Sequence, residues 1–438
     1  MSRIAEIAAA LEGYDPNLLG VDAVQSFLSR LTDALVVSDS EPVALRDALD
    51  RVLARDIVSP MNVPPHDNSA MDGFAFDGAM LERPDAAGNV VLQVAGTALA
   101  GMPWRGDGDG RQGAAVKIMT GAVMPVGLDT VVPQEFCRVD AGNLSFPAAA
   151  LRAGDNRRFA GEDLRQGSAA LRRGDRMSPA ALGLVASLGI PEVPVQRRLR
   201  VAYFSTGDEI LSLGESVRPG AVYDSNRFTV FGLLARLGCE VIDLGVVRDD
   251  PEALSATLQR AASEADAIVT SGGVSVGEAD HTRAVMKQLG DMAFWRIAMR
   301  PGRPMAVGLI PKSVQGSGPA VLFGLPGNPV AVMVTFLAFV RPALLRLMGC
   351  NEDAAAAPPL LRAISTTPIR KKAGRTEYQR GRVEARRGAM PEVSIAGNQG
   401  SGVLSSMVRA NGLVVLHHEQ GNVAAGEAVD VMMFDGIV

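Results

Sequence analysis

The chain has 438 residues, of which 47% are hydrophobic and 21% charged, and its formal net charge is −5. That length is too great for one core at ordinary domain sizes, so about two to four domains are expected. With an acidic balance and no long basic block, nothing favours a nucleic-acid partner.

Residues 1–10 carry Glu6 where a signal peptide needs an apolar run. The longest apolar stretch, 330–340, is too short to span a bilayer and is followed by Arg341. Cys137, Cys239 and Cys350 are scattered, without metal-ligand spacing, which fits a reducing cytosol. The expectation is a cytoplasmic protein with no membrane and no nucleic acid among its partners.

Residues 1–60 read as largely helical. Val24, Phe27, Leu28, Leu31 and Leu35 recur at three- and four-residue steps, one apolar face of a helix. Leu45, Leu49 and Leu53 repeat that pattern over 44–57. From Pro60 to about 150 the texture changes: VVLQVAG (90–96), AAVKIMTG (114–121) and DTVVPQE (129–135) predict a small all-β domain. Within PPHDNSAMDGFAF (64–76), Asn68, Ser69, Asp72 and Gly73 are turn formers. GDGDGRQG (106–113) lacks phosphate-loop or calcium-hand spacing and reads as a turn. Residues 151–195 are mixed, with Ser178 as an N-cap and Pro179 at the first helical position. This block is expected to pack on the N-terminal helices. That makes 1–60 with 151–195 one discontinuous domain and 61–150 an insertion.

Over 196–352 the pattern alternates. Strand-like runs at 200–205, 240–247, 266–271, 305–310 and 320–327 are separated by helical runs at about 226–237, 251–264 and 280–289, and a long one covers 329–348. Such alternation predicts a doubly wound parallel sheet, covered on both faces, with ligands at the carboxyl ends of its strands. Asp250–Pro251 and Asn328–Pro329 read as helix starts. AAAAPP (354–359) reads as a linker, and 353–438 as a second small β domain. The fold class is multidomain α/β plus β: a doubly wound α/β unit, two small β domains and a mixed helical N-terminal domain.

Four loops fall at the carboxyl ends of the α/β strands. They are STGDE (205–209) with Asp208 and Glu209, Asp249 with Asp250, the stretch from Ser271 to Asp280, and GLPGNP (324–329) with Pro326 and Asn328. The crevice rule for open α/β sheets brings them to one site. Gly272 and Gly273 let the backbone turn sharply and approach a ligand, and exposed amides beside a helix start suit an anion. Several carboxylates around such a backbone suit magnesium and phosphate, because hard cations want oxygen ligands. Singly, Asp249, Asp250 and Asp280 could each be no more than a cap. FWRIAMRPGRP (294–304) adds Arg296, Arg300 and Arg303. Pro301 and Gly302 bar a regular helix there, so Arg300 and Arg303 are expected on a loop. Their forks match an oxyanion, or else remain solvated surface charge. The sequence holds no nucleophile elbow, Walker loop or zinc pattern.

Taken together, PPHDNSAMDGFA, KIMTGAVMP, STGDE, YDSNR, SGGVSVGEAD, RPGRP, GLPGNPV, YQRG and GNQGSG run from 64 to 402. In that order they resemble the molybdopterin molybdenumtransferase (MoeA) family, which includes the gephyrin E domain. The resemblance implies that adenylylated molybdopterin and molybdate give molybdenum cofactor and AMP, with Mg²⁺. It also implies a homodimer of four-domain chains with a MogA-like α/β domain. Each site would combine that domain with the DNSAMDG domain of the partner.

By position, the resemblance assigns Asp280, Asp249 and Glu209 to Mg²⁺ binding and cleavage of the adenylate, with Asp72 as a further catalytic acid. It implies substrate contacts from Thr120 in the inserted domain and from Ser271, Gly272, Gly273, Pro326 and Asn328 in the glycine loops. Arg296, Arg300 and Arg303 would line the molybdate site, with Arg380 and Ser401 nearby. The family often carries lysine at 296, 300 and 303. Arginine keeps the charge but replaces a point charge with a bidentate fork. A separate molybdopterin adenylyltransferase and molybdoenzyme apoproteins are the expected partners. Two other readings stand beside this one: a molybdopterin adenylyltransferase, which the α/β domain alone supports, and a non-catalytic, peptide-binding scaffold.

Overall fold

The computed structural model describes residues 2–106, 113–273, 280–312 and 318–438. The side chains of Asp280 and His281, and most of the turn read at 106–113, lie outside that description.

The central sheet has the strand order Glu240–Val247, Arg200–Thr206, Ala267–Ser271, Ala320–Leu325, Pro304–Ile310, Asp291–Arg296. The first four strands run parallel. Strand Pro304–Ile310 is antiparallel to both of its neighbours, so the sheet is mixed at one edge, not wholly parallel as expected. Only nine residues separate Pro304–Ile310 from Ala320–Leu325, fewer than the roughly dozen a parallel crossover needs. Strand Asp291–Arg296 was not anticipated from the sequence. It buries Ala293 and Trp295, a period of two.

Alternation along strand Arg200–Thr206 covers both faces of the sheet. Val201 and Tyr203 join one apolar core with Val230, Leu234 and the helix after Asn328. Ala202 and Phe204 join the other with Leu254, Leu258 and Met286. The helix Pro329–Leu347 is 19 residues long, enough by length and composition to cross a bilayer, contrary to the estimate from 330–340. It is 83% buried inside the molecule, and it serves as the core helix of the α/β unit.

Helix Val21–Thr32 buries the stripe read from the sequence, with Val24, Phe27, Leu28 and Leu31 inside. Its partner is the α/β core and not the 151–195 block. Phe27 meets Trp295 edge-on, with centroids 4.8 Å apart and planes at 81°. The Trp295 Nε1–H donates to the Tyr14 hydroxyl at 2.9 Å. Burying one such aromatic contributes roughly 1.5–3 kcal/mol, which fixes this segment on the sheet edge. The expected pairing with 151–195 is met only after residue 40: Ser40–Ala44 pairs with Glu192–Gln196, and Ile57–Val58 with Ala169–Leu171. Over 44–57, the helical reading gives way to a single short turn, Leu45–Asp47, with Leu49 exposed. Helix Pro179–Ser187 begins as read, the Ser178 hydroxyl accepting from the Ala181 N–H at 3.1 Å.

The inserted domain is a six-stranded sheet in which Gly73–Phe76 lies between Thr130–Pro133 and Ala114–Ile118. In the C-terminal unit, Thr376–Glu384 pairs with both Glu392–Ile395 and Gly412–Leu416, so five strands close on themselves. Strand Met299–Arg300 leaves the α/β unit and adds to Thr376–Glu384 in parallel.

Candidate active site

That added strand brings the C-terminal unit over the strand ends of the α/β sheet, and a cavity of about 760 Å³ lies between them. The α/β loops contribute Thr206, Glu209, Asp249, Gly272 and Gly273, with Asn328 and Pro326 beside them. The same cavity is lined by Arg300 and Arg303, and from the C-terminal unit by Arg375 and Ser401.

The acidic wall has an internal order. The Thr206 hydroxyl donates to Asp249 Oδ1 at 2.6 Å. Asp250, by contrast, accepts from the Ala253 N–H at 2.8 Å and caps helix Pro251–Glu264. Of two adjacent acids, one is spent on the helix and the other lines the cavity. Glu209 and Asp249 are both exposed on that wall. The backbone of Asp280 starts helix Asp280–Leu289, while its side chain and residues 274–279 lie outside the described residues.

The glycines are required by geometry. Gly272 has φ +93°, and a Cβ there would stand 2.3 Å from the Thr206 carbonyl oxygen. Ser271 is buried beneath the wall, its hydroxyl 2.7 Å from the Tyr203 hydroxyl and 3.3 Å from that of Ser205. The Asn226 Nδ2 donates to the Gly327 carbonyl at 2.7 Å, tying the helix Ser225–Leu237 to the loop before Pro329. Asn328 makes no side-chain cap bond, contrary to the capped start expected there, and its side chain is left to the cavity.

On the basic wall, Arg300 and Arg303 have no carboxylate partner among the described residues. Arg375, which the sequence reading passed over, donates to Glu377 Oε1 from Nε at 2.8 Å and from Nη2 at 2.6 Å. Its only sequence signal was its place just before the strand that carries YQRG. Arg380 is not a wall residue. It is 1% exposed, and donates to Ser406 Oγ and to the carbonyls of Asn398 and Gly400, each at 3.0 Å. Burial first, then the charge of Arg300, lowers its pKa. Its role is to hold the loop that presents Ser401. Arg296 is exposed at its strand end, apart from the cavity lining. Asp72 and Thr120 sit exposed on the inserted domain and do not line this cavity. The Thr120 N–H and hydroxyl donate to Asp72 Oδ1 at 2.7 and 2.8 Å, and these bonds hold the Asp72 carboxyl below its usual range.

Among the described residues, no group of three or more His, Cys, Asp or Glu side chains could hold a metal. Glu209 and Asp249 alone offer two carboxylates on one wall, a donor type that suits a hard cation retaining several waters. A cavity lined by two acids, by the guanidiniums of Arg300 and Arg303 and by glycine backbone can hold an anionic ligand with a cation beside it.

A three-layered α/β unit with its ligand cavity closed by a C-terminal β unit defines a multidomain protein that binds an anionic ligand. Residues 202–346 match the probable molybdopterin binding domain. Residues 21–189 match the MoeA N-terminal region (domain I and II), and 362–434 the MoeA C-terminal region (domain IV). The chain is 40% identical over 402 residues to the molybdopterin molybdenumtransferase of Haemophilus influenzae, covering 92% of this chain and 95% of that one. It is 32% identical over 402 residues to that of Bacillus subtilis, covering 90% of each. Its fold is similar to the molybdopterin biosynthesis moeA protein of Pyrococcus horikoshii OT3, with a TM-score of 0.77 and 26% identity over 95% of this chain and all of that one. The chain belongs to the molybdopterin molybdenumtransferase (MoeA) family.

Proposed function

We propose that this protein inserts molybdenum into molybdopterin: adenylylated molybdopterin and molybdate enter the cavity, and molybdenum cofactor and AMP leave it. The observation that carries this reading is the gathering, around one cavity, of Glu209 and Asp249 with Arg300, Arg303, Arg375 and Ser401. The relatives named molybdopterin molybdenumtransferase support the reaction class.

Molybdate is a tetrahedral dianion, so guanidinium forks and the Ser401 hydroxyl donate to its oxygens. The Gly272–Gly273 backbone, which no side chain blocks, receives the phosphoanhydride. Thr206 orients Asp249 by its 2.6 Å hydrogen bond. Glu209 and Asp249, with Asp280 as third acid, would hold Mg²⁺, which supplies neutralisation of the charge on the departing AMP. Asp72 and Thr120 reach the site from the partner chain of a homodimer; they form an ordered pair yet lie off their own cavity.

The test gives purified protein adenylylated molybdopterin, molybdate and Mg²⁺ and follows AMP. Release is expected, and Asp249→Asn should slow it by about 100-fold, the usual loss of one electrostatic group in an active site. No release by the unaltered protein overturns the reading, and AMP addition to free molybdopterin from ATP favours an adenylyltransferase in its place.

A further inference from the structure

Strands Ala267–Ser271 and Ala320–Leu325 are parallel neighbours, and Ser271 stands level with Leu325. The last rung between them is the bond from the Gly272 N–H to the Leu325 carbonyl at 3.2 Å. Beyond it the chain parts into two loops, 272–273 and 326–328, that line the main cavity. Among the described residues, no backbone bond joins these loops further out. A Cβ built on Gly327 meets nothing within 4 Å, so packing on that side does not hold its loop either. One side chain spans the gap. Asn226, on helix Ser225–Leu237, donates from Nδ2 to the Gly327 carbonyl at 2.7 Å and reaches Ser271 Oγ at a long 3.5 Å. Ser271 is itself anchored, its hydroxyl 2.7 Å from that of Tyr203.

The helix does not need this amide, because Asp224 Oδ1 already caps it by accepting from the Arg227 N–H at 3.0 Å. Asn226 is 8% exposed, and its Oδ1 has no donor among the described residues. Turning the amide over would set two acceptor oxygens 2.7 Å apart with no proton between them, so its orientation is fixed. A buried amide oxygen left unpaired lowers stability. The fold alone would be served as well by an apolar side chain at 226. What the asparagine adds is the donor held on Gly327.

We propose that Asn226 is a positioning residue: its amide sets the distance between the two loops, and with it the backbone cradle for the phosphate of the nucleotide. Asn226 lies behind the loops and is not itself a lining residue of the cavity. This rests on the reading of the main cavity as the place from which AMP leaves.

The experiment follows hydrogen exchange in the segments 271–273 and 325–328 and titrates AMP with Mg²⁺ by calorimetry. It compares the unaltered protein with Asn226→Leu, which keeps the volume and removes the donor, and with Asn226→Ser, which keeps a donor on a shorter arm. Asn351→Ala is the control. The Asn351 amide donates to Asp175 Oδ1 at 2.6 Å and accepts from the Ala354 N–H at 2.9 Å, apart from the cavity lining. Asn226→Leu should speed exchange in both loops and weaken AMP binding about tenfold, the loss of one hydrogen bond. Asn226→Ser should fall between, and Asn351→Ala should bind AMP as the unaltered protein does. If Asn226→Leu does not fold, Asn226→Ser decides. A folded Asn226 variant with unaltered AMP affinity overturns the proposal, whatever its exchange. So does an equal loss of affinity in Asn351→Ala, which would make the effect one of general stability. Faster exchange in both loops of a protein that binds no AMP even when unaltered upholds the tie between the loops and sinks the reading of the cavity.

Discussion

Asp266 is a largely buried carboxylate that its partners keep ionised. Desolvation raises its pKa, but the Arg197 fork at 2.7 and 2.9 Å, the Arg200 N–H at 3.0 Å and Lys312 at 3.3 Å outweigh this and hold the carboxyl below its usual range. A depressed folded pKa contributes stability above the unfolded value, near 4, and that contribution is lost as pH falls through the folded value. Asp266→Asn is therefore expected to cost about 2 kcal/mol at pH 7, with the gap to the unaltered protein closing below pH 4. Urea unfolding at pH 7 and pH 3 measures it, and an equal gap at both would contradict the assignment. The same scale sets the limit of reading sites from sequence. Asp249 and Asp250 have nearly identical surroundings in the chain, yet one caps a helix and the other faces the cavity. Arg380 carries a family motif but spends its donors on Ser406 and two carbonyls. Arg375, outside the quoted motifs, reaches the wall. Side-chain direction in such cases is set by tertiary neighbours that local spacing does not encode.

At the scale of elements, the strands at the sheet centre were legible because burial on both faces demands continuous apolar runs. Strand Asp291–Arg296 was not, because its alternation ends in arginine and runs into a Pro-Gly segment that dominates the local signal. The stripe on Val21–Thr32 was legible too, but a stripe specifies an apolar partner without naming it, and Trp295 proved to be that partner. The turn at Gly272 makes a testable contrast. Gly272→Ala meets both a left-handed φ and the Thr206 carbonyl at 2.3 Å, so it should cost about 2 kcal/mol and abolish AMP release. Gly327, in the facing loop, has no such φ and nothing within 4 Å of a built Cβ. Gly327→Ala should melt as the unaltered protein does in calorimetry. If the two alanine variants melt alike, backbone geometry is not what requires glycine at 272.

At the scale of the whole molecule, the proposed site is distributed. The acids and arginines gather between the α/β and C-terminal units, while the Asp72–Thr120 pair stands exposed on the inserted domain. A pair already ordered by two hydrogen bonds but apart from its own cavity can serve that cavity's chemistry only if a second chain delivers it. Mixing two inactive variants, Asp72→Asn and Asp249→Asn, distinguishes delivery in trans from a site within one chain. If a two-fold dimer shares its sites, each mixed dimer has one site with an intact Asp249 facing the partner's intact Asp72, and one site lacking both. Random exchange makes half the dimers mixed, so AMP release should recover to about one quarter of the unaltered rate. If each chain builds its site alone, every site in the mixture lacks one acid or the other, and mixing restores nothing. The quarter is a consequence of symmetry and holds when each variant alone is inactive.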